Sequence, residues 1–138
     1  MFNLNLVTPE KKLVTDLEVD EVIVPGYRGQ LDILPGHAPL MTTLSVGVLK
    51  YRAKGSSTQE SVVVSWGYCE VHPEGVIVLA ETAESIEEID KVRAEAALKR
   101  AKSQLEAPAF IESDQIVKLQ RKMARATARI EADKQTTH

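Results

Sequence analysis

The side chains of this 138-residue chain that could do acid-base, nucleophilic or metal chemistry are few and scattered. His37, His72 and His138 lie far apart and form none of the short spacings, such as H-x-x-x-H, that bring two imidazoles onto one metal. Cys69 is the single cysteine, which excludes an internal disulfide and reads as a buried strand thiol behaving as a small hydrophobe. His37 has no serine or cysteine nucleophile with an orienting acid nearby in sequence, so general-base catalysis finds no support there. Gly26-Tyr27-Arg28-Gly29 and Pro35-Gly36-His37 carry the glycines of a phosphate loop. Neither is followed by Lys-Ser/Thr and neither opens a helix, so both read as structural turns. No catalytic residue and no metal set is expected.

What the chain does offer is charge. Lys118, Lys122, Arg125 and Arg129 recur at spacings of 4, 3 and 4, which places them on one helix face. A solvated face is the plain account of such a pattern. Among binding partners, an acidic protein surface suits it better than nucleic acid, because the rest of the chain would be repelled by phosphates and offers no aromatic stacking platform. Residues 1–89 carry 6 basic and 13 acidic side chains, a net of −7, whereas residues 90–138 carry 11 basic and 7 acidic, a net of +4. A basic appendage on an acidic body calls for an acidic partner or for a return dock onto that body. Trp66, at a strand end, reads as a packing residue, with a protein-contact role as the lesser alternative.

The elements that must position these residues divide at the same place. All seven glycines lie between Gly26 and Gly75, and five of the six prolines precede residue 75, leaving only Pro108 as a breaker beyond it. The first part therefore reads as short strands and turns, and the last fifty or so residues as long helices interrupted once. Phe2-Asn3-Leu4-Asn5-Leu6 alternates apolar and polar as a half-buried strand does. Further strands are predicted over residues 12–16, 18–24, 46–52, 59–66, 68–71 and 76–80, with short strands and tight turns in 26–47. Eight or more short strands with no helical crossover between them predict an antiparallel β-sandwich or barrel over residues 1–84.

Residues 85–138 are predicted to form an antiparallel two-helix hairpin. Ser85-Ile86-Glu87-Glu88 fits the S-x-x-E capping box and predicts a helix starting within a few residues of it and running to about Leu105. Ala107-Pro108-Ala109 breaks that helix, and Ser113-Asp114 can cap a second one, in which Ile116, Leu119, Met123, Ala126 and Ile130 form an apolar stripe. The contact residues are mostly alanine, and only a leucine-sized side chain contributes roughly 1.5–3 kcal/mol on burial. Such a hairpin is marginal alone and suited to re-docking. No run reaches the roughly 20 apolar residues of a membrane span. The N-terminus lacks the pattern of a secretory signal, so a cytoplasmic or organelle-interior location is expected.

Several stretches together carry a resemblance: Leu6-Val7-Thr8-Pro9-Glu10, Val24-Pro25-Gly26, Ile33-Leu34-Pro35-Gly36-His37-Ala38-Pro39-Leu40, Gly67-Tyr68-Cys69-Glu70-Val71, and Ile89-Asp90-Lys91-Val92-Arg93-Ala94. They resemble the epsilon subunits of F-type ATP synthases, bacterial or plastid, over nearly the whole chain. Asp32 replaces the family's usual glycine, and Tyr68 its usual phenylalanine. The resemblance implies a non-catalytic rotor-stalk subunit, not an enzyme, whose sandwich binds the gamma subunit and the c-ring and couples proton translocation to ATP synthesis. It implies a hairpin that can extend into the alpha/beta catalytic head and inhibit ATP hydrolysis, with Lys118, Arg121, Lys122, Arg125 and Arg129 facing an acidic segment of the beta subunit. It also implies a peripheral place on the cytoplasmic face of a bacterial plasma membrane, or on the stromal face of a thylakoid. Some members bind ATP as a regulatory ligand through Ile/Leu-Asp-x-x-Arg-Ala, which Ile89, Asp90, Arg93 and Ala94 match, with Arg100 as a further phosphate contact; no other cofactor is implied. Asp90 has a second reading, an acid favoured at a helix N-terminus. The alternative to the whole assignment is a small ligand-binding β domain with oligomerising helices.

Overall fold

The structure, a computed structural model, describes residues 2–86, 89–106 and 113–136, of which residue 113 and residues 133–136 are described by backbone alone. It divides into two compact units, Met1–Ser85 and Ile86–His138.

The first unit holds seven strands: β1 (Asn3–Val7), β2 (Lys12–Gly26), β3 (Gly29–Ile33), β4 (Leu40–Leu44), β5 (Gly47–Ala53), β6 (Glu60–His72) and β7 (Gly75–Ser85). Neighbouring strands pair in the order β1-β7-β6-β5-β2, and β2 returns to β1, so the strands close on themselves. β4 bridges β6 to the end of β2, and β3 pairs with β2. Inside lie Leu4, Leu6, Val22, Val24, Ile33, Leu49, Val64 and Val78, all fully buried. Alternation along β1, with Asn3 and Asn5 outward and Leu4 and Leu6 inward, is the period of two read from the sequence.

Seven strands replace the eight or more expected, because two pairs of predicted strands are continuous. Residues 12–16 and 18–24 form one strand that bends at Asp16, whose φ is +46. Its left-handed backbone is held by Asn5: the Asp16 N–H donates to Asn5 Oδ1 at 2.9 Å and Asn5 Nδ2 donates to Asp16 Oδ1 at 3.2 Å. Residues 59–66 and 68–71 likewise fuse into β6 through Trp66 and Gly67, with φ values of +38 and +141. A positive φ turns the strand without ending its ladder, so a glycine that reads as a breaker in sequence acts here as a bend. The antiparallel expectation has one exception, the parallel pairing of β1 with β7. No local crossover is needed there, since the rest of the sandwich connects the two strands.

Strand β7 also runs farther than expected, and Ser85 pairs with Val62 instead of capping a helix. Its backbone belongs to the ladder, so the first helix starts later. That helix, α1 (Lys91–Glu106), packs against α2 (Ser113–Thr136). Glu87, Glu88, Ala107, Pro108, Ala109 and His138 lie outside the described residues, as does the side chain of Ser113. Ala94 and Ala101 of α1, and Leu119, Ala126, Ala128 and Ala132 of α2, are buried. Small residues let the two helices approach closely, while only one large apolar side chain, Leu119, is buried among those described.

Candidate functional site

Two surfaces stand out, one on each unit. On the first, the outer face of β1, β7, β6 and β4 carries a cross-strand row: Val7 beside Leu79, Leu79 opposite Tyr68, and Tyr68 opposite Thr43. A second row runs through Asn5, Ile77, Glu70 and Met41. Tyr68 is 53% exposed, Leu79 45% and Met41 64%, a concentration of apolar surface on strands whose other face is already buried. Beside the first row a cleft of about 620 Å³ is lined mainly by apolar groups, among them Val7, Pro9, Trp66, Tyr68 and Leu79, with Glu81 at its edge.

The sequence dictates this face locally. Residues two apart on a strand point the same way, so Tyr68 and Glu70 share the outer side of β6 while Cys69 and Val71 are buried on the other. The positive φ at Trp66 and Gly67 breaks the alternation there, since Val62 and Val64 are the core residues before the bend. Gly67 permits the close stacking of β6 on β7, since a Cβ there would stand 1.9 Å from the carbonyl oxygen of Leu79. At the end of the face His72 Nε2 meets Glu70 Oε2 at 3.1 Å. Beneath it, burial pushes the Cys69 thiol up to about 12, with a smaller contribution from the Glu70 charge, so the thiolate that would be the nucleophile is not populated.

The turns behave as structural turns. Tyr27 and Arg28 form the two-residue connection between the paired Gly26 and Gly29. The His37 N–H donates to the carbonyl of Leu34 at 3.0 Å, closing the turn at Gly36, and its Nδ1 lies 2.7 Å from the carbonyl of Ala38. On another part of the sandwich, a hydrogen bond with Asp32 raises the pKa of Glu21, helped by desolvation and the Asp32 charge and opposed by Arg52. Asp32 thus does more than occupy a glycine's place: it joins a pair of carboxyls across β2 and β3. No group of three or more metal-ligating side chains occurs among the described residues.

On the second unit, Asp90 is the N-cap of α1. Its Oδ1 accepts the Arg93 N–H at 3.1 Å, and its carbonyl accepts the Ala94 N–H at 2.9 Å. Ile89 precedes the helix, its N–H donating to the carbonyl of Ile86 at 3.1 Å, and Ala94 is buried. Arg93 and Arg100, one on each side of Ala97, line a groove of about 300 Å³ together with Gln104 and, from α2, Lys122 and Arg129. Four cations therefore converge on one groove, and an anionic ligand is what such a groove would hold. Lys118, Arg121 and Arg125 are not among its lining. The sequence reading assigned Arg93 and Arg100 to one role and Lys122 and Arg129 to another; the helix pairing puts them in the same place. The apolar face of the sandwich, by contrast, was missed, although apolar outward positions at Trp66 and Tyr68 and at Ile77 and Leu79 could have revealed it.

Comparison with known proteins gives these surfaces a context. The family described as "ATP synthase, Delta/Epsilon chain, beta-sandwich domain" matches residues 1–86. The chain is 46% identical over 132 residues to the ATP synthase epsilon chain of Bdellovibrio bacteriovorus, covering 96% of this chain and 94% of that one. It is 50% identical over 102 residues to ATP synthase epsilon chain 2 of Syntrophotalea carbinolica, covering 74% and 72% of the two chains. Among solved structures, a chain of the Euglena gracilis mitochondrial ATP synthase, an assembly of OSCP, F1 and c-ring, matches with a TM-score of 0.83 over 99% of this chain and 81% of that one. At 20% identity this last likeness establishes the fold.

Proposed function

This chain belongs to the epsilon-chain family of ATP synthases, and we propose that its apolar strand face is the surface by which it docks on the gamma subunit of the rotor stalk. It is an accessory, non-catalytic subunit of the synthase. The observation that carries the docking assignment is the row of Val7, Leu79, Tyr68 and Thr43 across four strands, flanked by a mainly apolar cleft. A rigid sheet that exposes aromatic and aliphatic side chains on one face and buries the other is suited to a permanent interface, where apolar anchors supply most of the binding free energy. The sandwich also contacts the c-ring and transmits rotation, coupling proton movement to ATP synthesis. No described helix is long and apolar enough to cross a membrane. The subunit belongs to the peripheral F1 portion, and the bacterial relatives favour the cytoplasmic face of the plasma membrane.

The two-helix unit serves as a brake on ATP hydrolysis. In its extended form the basic residues of α2, Lys118, Arg121, Lys122, Arg125 and Arg129, meet an acidic segment of the beta subunit in the alpha/beta head. In its folded form the groove of Arg93, Arg100, Lys122 and Arg129 holds the phosphates of ATP, with Ile89, Asp90 and Ala94 shaping the helix start beside it. The convergence of four cations supports this reading. A ligand that binds only the folded hairpin stabilises it by about 2.7 kcal/mol at a concentration one hundred times its Kd, enough to move a balanced equilibrium almost wholly to one side. Asp90 keeps its carboxylate on the helix backbone in this arrangement, so it acts by ordering the first turn.

Deletion of residues 86–138 from the assembled complex tests the brake: ATP hydrolysis should rise several-fold with the subunit still bound. Unchanged hydrolysis would remove the inhibitory role and leave the docking role standing.

A further inference from the structure

Five glycines of this chain occupy positive-φ positions, where a residue without Cβ is at ease. Two other described residues share that region, and they differ in kind. Asp16 is a residue that tolerates it and is held by two hydrogen bonds with Asn5. Trp66, with φ of +38, is the bulkiest side chain available and belongs to a class for which this conformation is an outlier. It sits where β6 changes partner, between Val64, paired to Gly47 of β5, and Gly67, paired to Leu44 of β4. Glycine at position 66 would turn the strand there without strain, and Gly67 beside it already does.

The place of the strain is informative. Trp66 lines the apolar cleft with Val7, Pro9, Tyr68 and Leu79. Strained backbone that persists at a binding surface is the mark of a side chain kept for its contacts. Tryptophan in a desolvated pocket is also the commonest kind of interface hot spot. We propose that Trp66 is the specificity-determining anchor of the docking face: its left-handed backbone aims the indole into the cleft, where the stalk subunit packs against it. The proposal rests on the assignment of this face to the gamma subunit and goes beyond it by naming the residue that dominates the contact.

Trp66→Ala, Trp66→Gly, Trp66→Phe and Tyr68→Ala, each in the full chain, separate the two claims by affinity for a purified complex of alpha, beta and gamma subunits and by thermal melting. Trp66→Ala and Trp66→Gly should both weaken binding by about ten-fold or more, and Trp66→Phe should recover most of that loss. Trp66→Gly should melt above Trp66→Ala, the reverse of the order expected within an unstrained strand. If Trp66→Ala binds like the wild type while Tyr68→Ala binds weakly, the face docks and Trp66 is not its anchor. Wild-type binding by both would remove the docking assignment itself. A glycine variant melting at or below the alanine variant would show that position 66 is unstrained and overturn the structural half of the proposal.

Discussion

The two units of this protein are built on opposite principles. The strand unit is held by a closed ladder around a core of leucine, isoleucine and valine, with Gly67 and Gly75 packed so closely on neighbouring backbone that neither has room for a Cβ. The helical pair is held along a seam of alanines with one buried leucine among the described residues, and it gathers cations instead of apolar side chains. The first arrangement tolerates little rearrangement, because closing the ladder makes each of β1, β2, β5, β6 and β7 depend on two neighbours. The second buries mostly alanine, so little large apolar surface is exposed when its helices part. That difference suits the proposed division between a surface that transmits torque and a segment that changes its docking.

Four substitutions test the contrast, and the single tryptophan helps to read them: Trp66 reports the strand unit by fluorescence, while far-UV circular dichroism is dominated by the helices. The largest effect should come from Gly67→Ala, whose new Cβ would meet the Leu79 carbonyl at 1.9 Å in a backbone conformation with φ of +141. A loss of about 3–5 kcal/mol in urea denaturation followed by fluorescence is expected. A loss below about 1 kcal/mol would mean that β6 and β7 can separate locally, making the strand unit softer than its ladder implies.

Leu119→Ala comes next, removing the one large apolar side chain buried among the described residues of the helical pair. It should lower helix stability by about 2–3 kcal/mol while the fluorescence transition stays in place. Movement of both transitions together would show that the units unfold as one and would erase the contrast. Asp90→Ala, which removes the acceptor of the Arg93 N–H, should lower helix stability by about 1 kcal/mol. It also separates the two readings of Asp90: an equal loss of ATP affinity in Asp90→Asn, which keeps the cap, would give the carboxylate a direct role in ligand binding.

The smallest effect concerns the carboxyl pair. Because Asp32 raises the pKa of Glu21 in the folded protein, the associated stability is fully present below the ordinary glutamate value of 4.5 and is lost as the pH rises through the raised one. Asp32→Asn should therefore make the strand unit slightly more stable than the wild type at neutral pH, with the gain disappearing in acid. Both groups lie near solvent, so the shift in melting temperature should be small and reduced by salt. A stability difference independent of pH between 3 and 7, roughly the carboxylate titration range, would show that the two side chains do not interact.

Element types were legible before any coordinates, because alternation in β1 and the spacing of Ile116, Leu119, Met123 and Ala126 are properties of the sequence alone. Element ends were less so. Ser85 has the composition of a helix cap, yet its backbone pairs with Val62, and only the folded ladder brings those residues together. Asp16, Trp66 and Gly67 look like interruptions, yet the strands continue through them because neighbouring strands supply partners on both sides of each bend.

The sequence by itself determined the strand-then-helix order, the acidic and basic halves and the family, since each depends on residue type and local spacing. Tertiary structure alone decided where surfaces form. The antiparallel register of β6 and β7 sets Tyr68 opposite Leu79, and Val7, far from both along the chain, joins them only because β1 lies parallel to β7. Arg93, Arg100, Lys122 and Arg129 become one groove only because α1 and α2 pair. The physical reason is the same in both cases: periodicity orients a side chain relative to its own backbone, whereas its neighbours from other elements are set by strand register and helix packing.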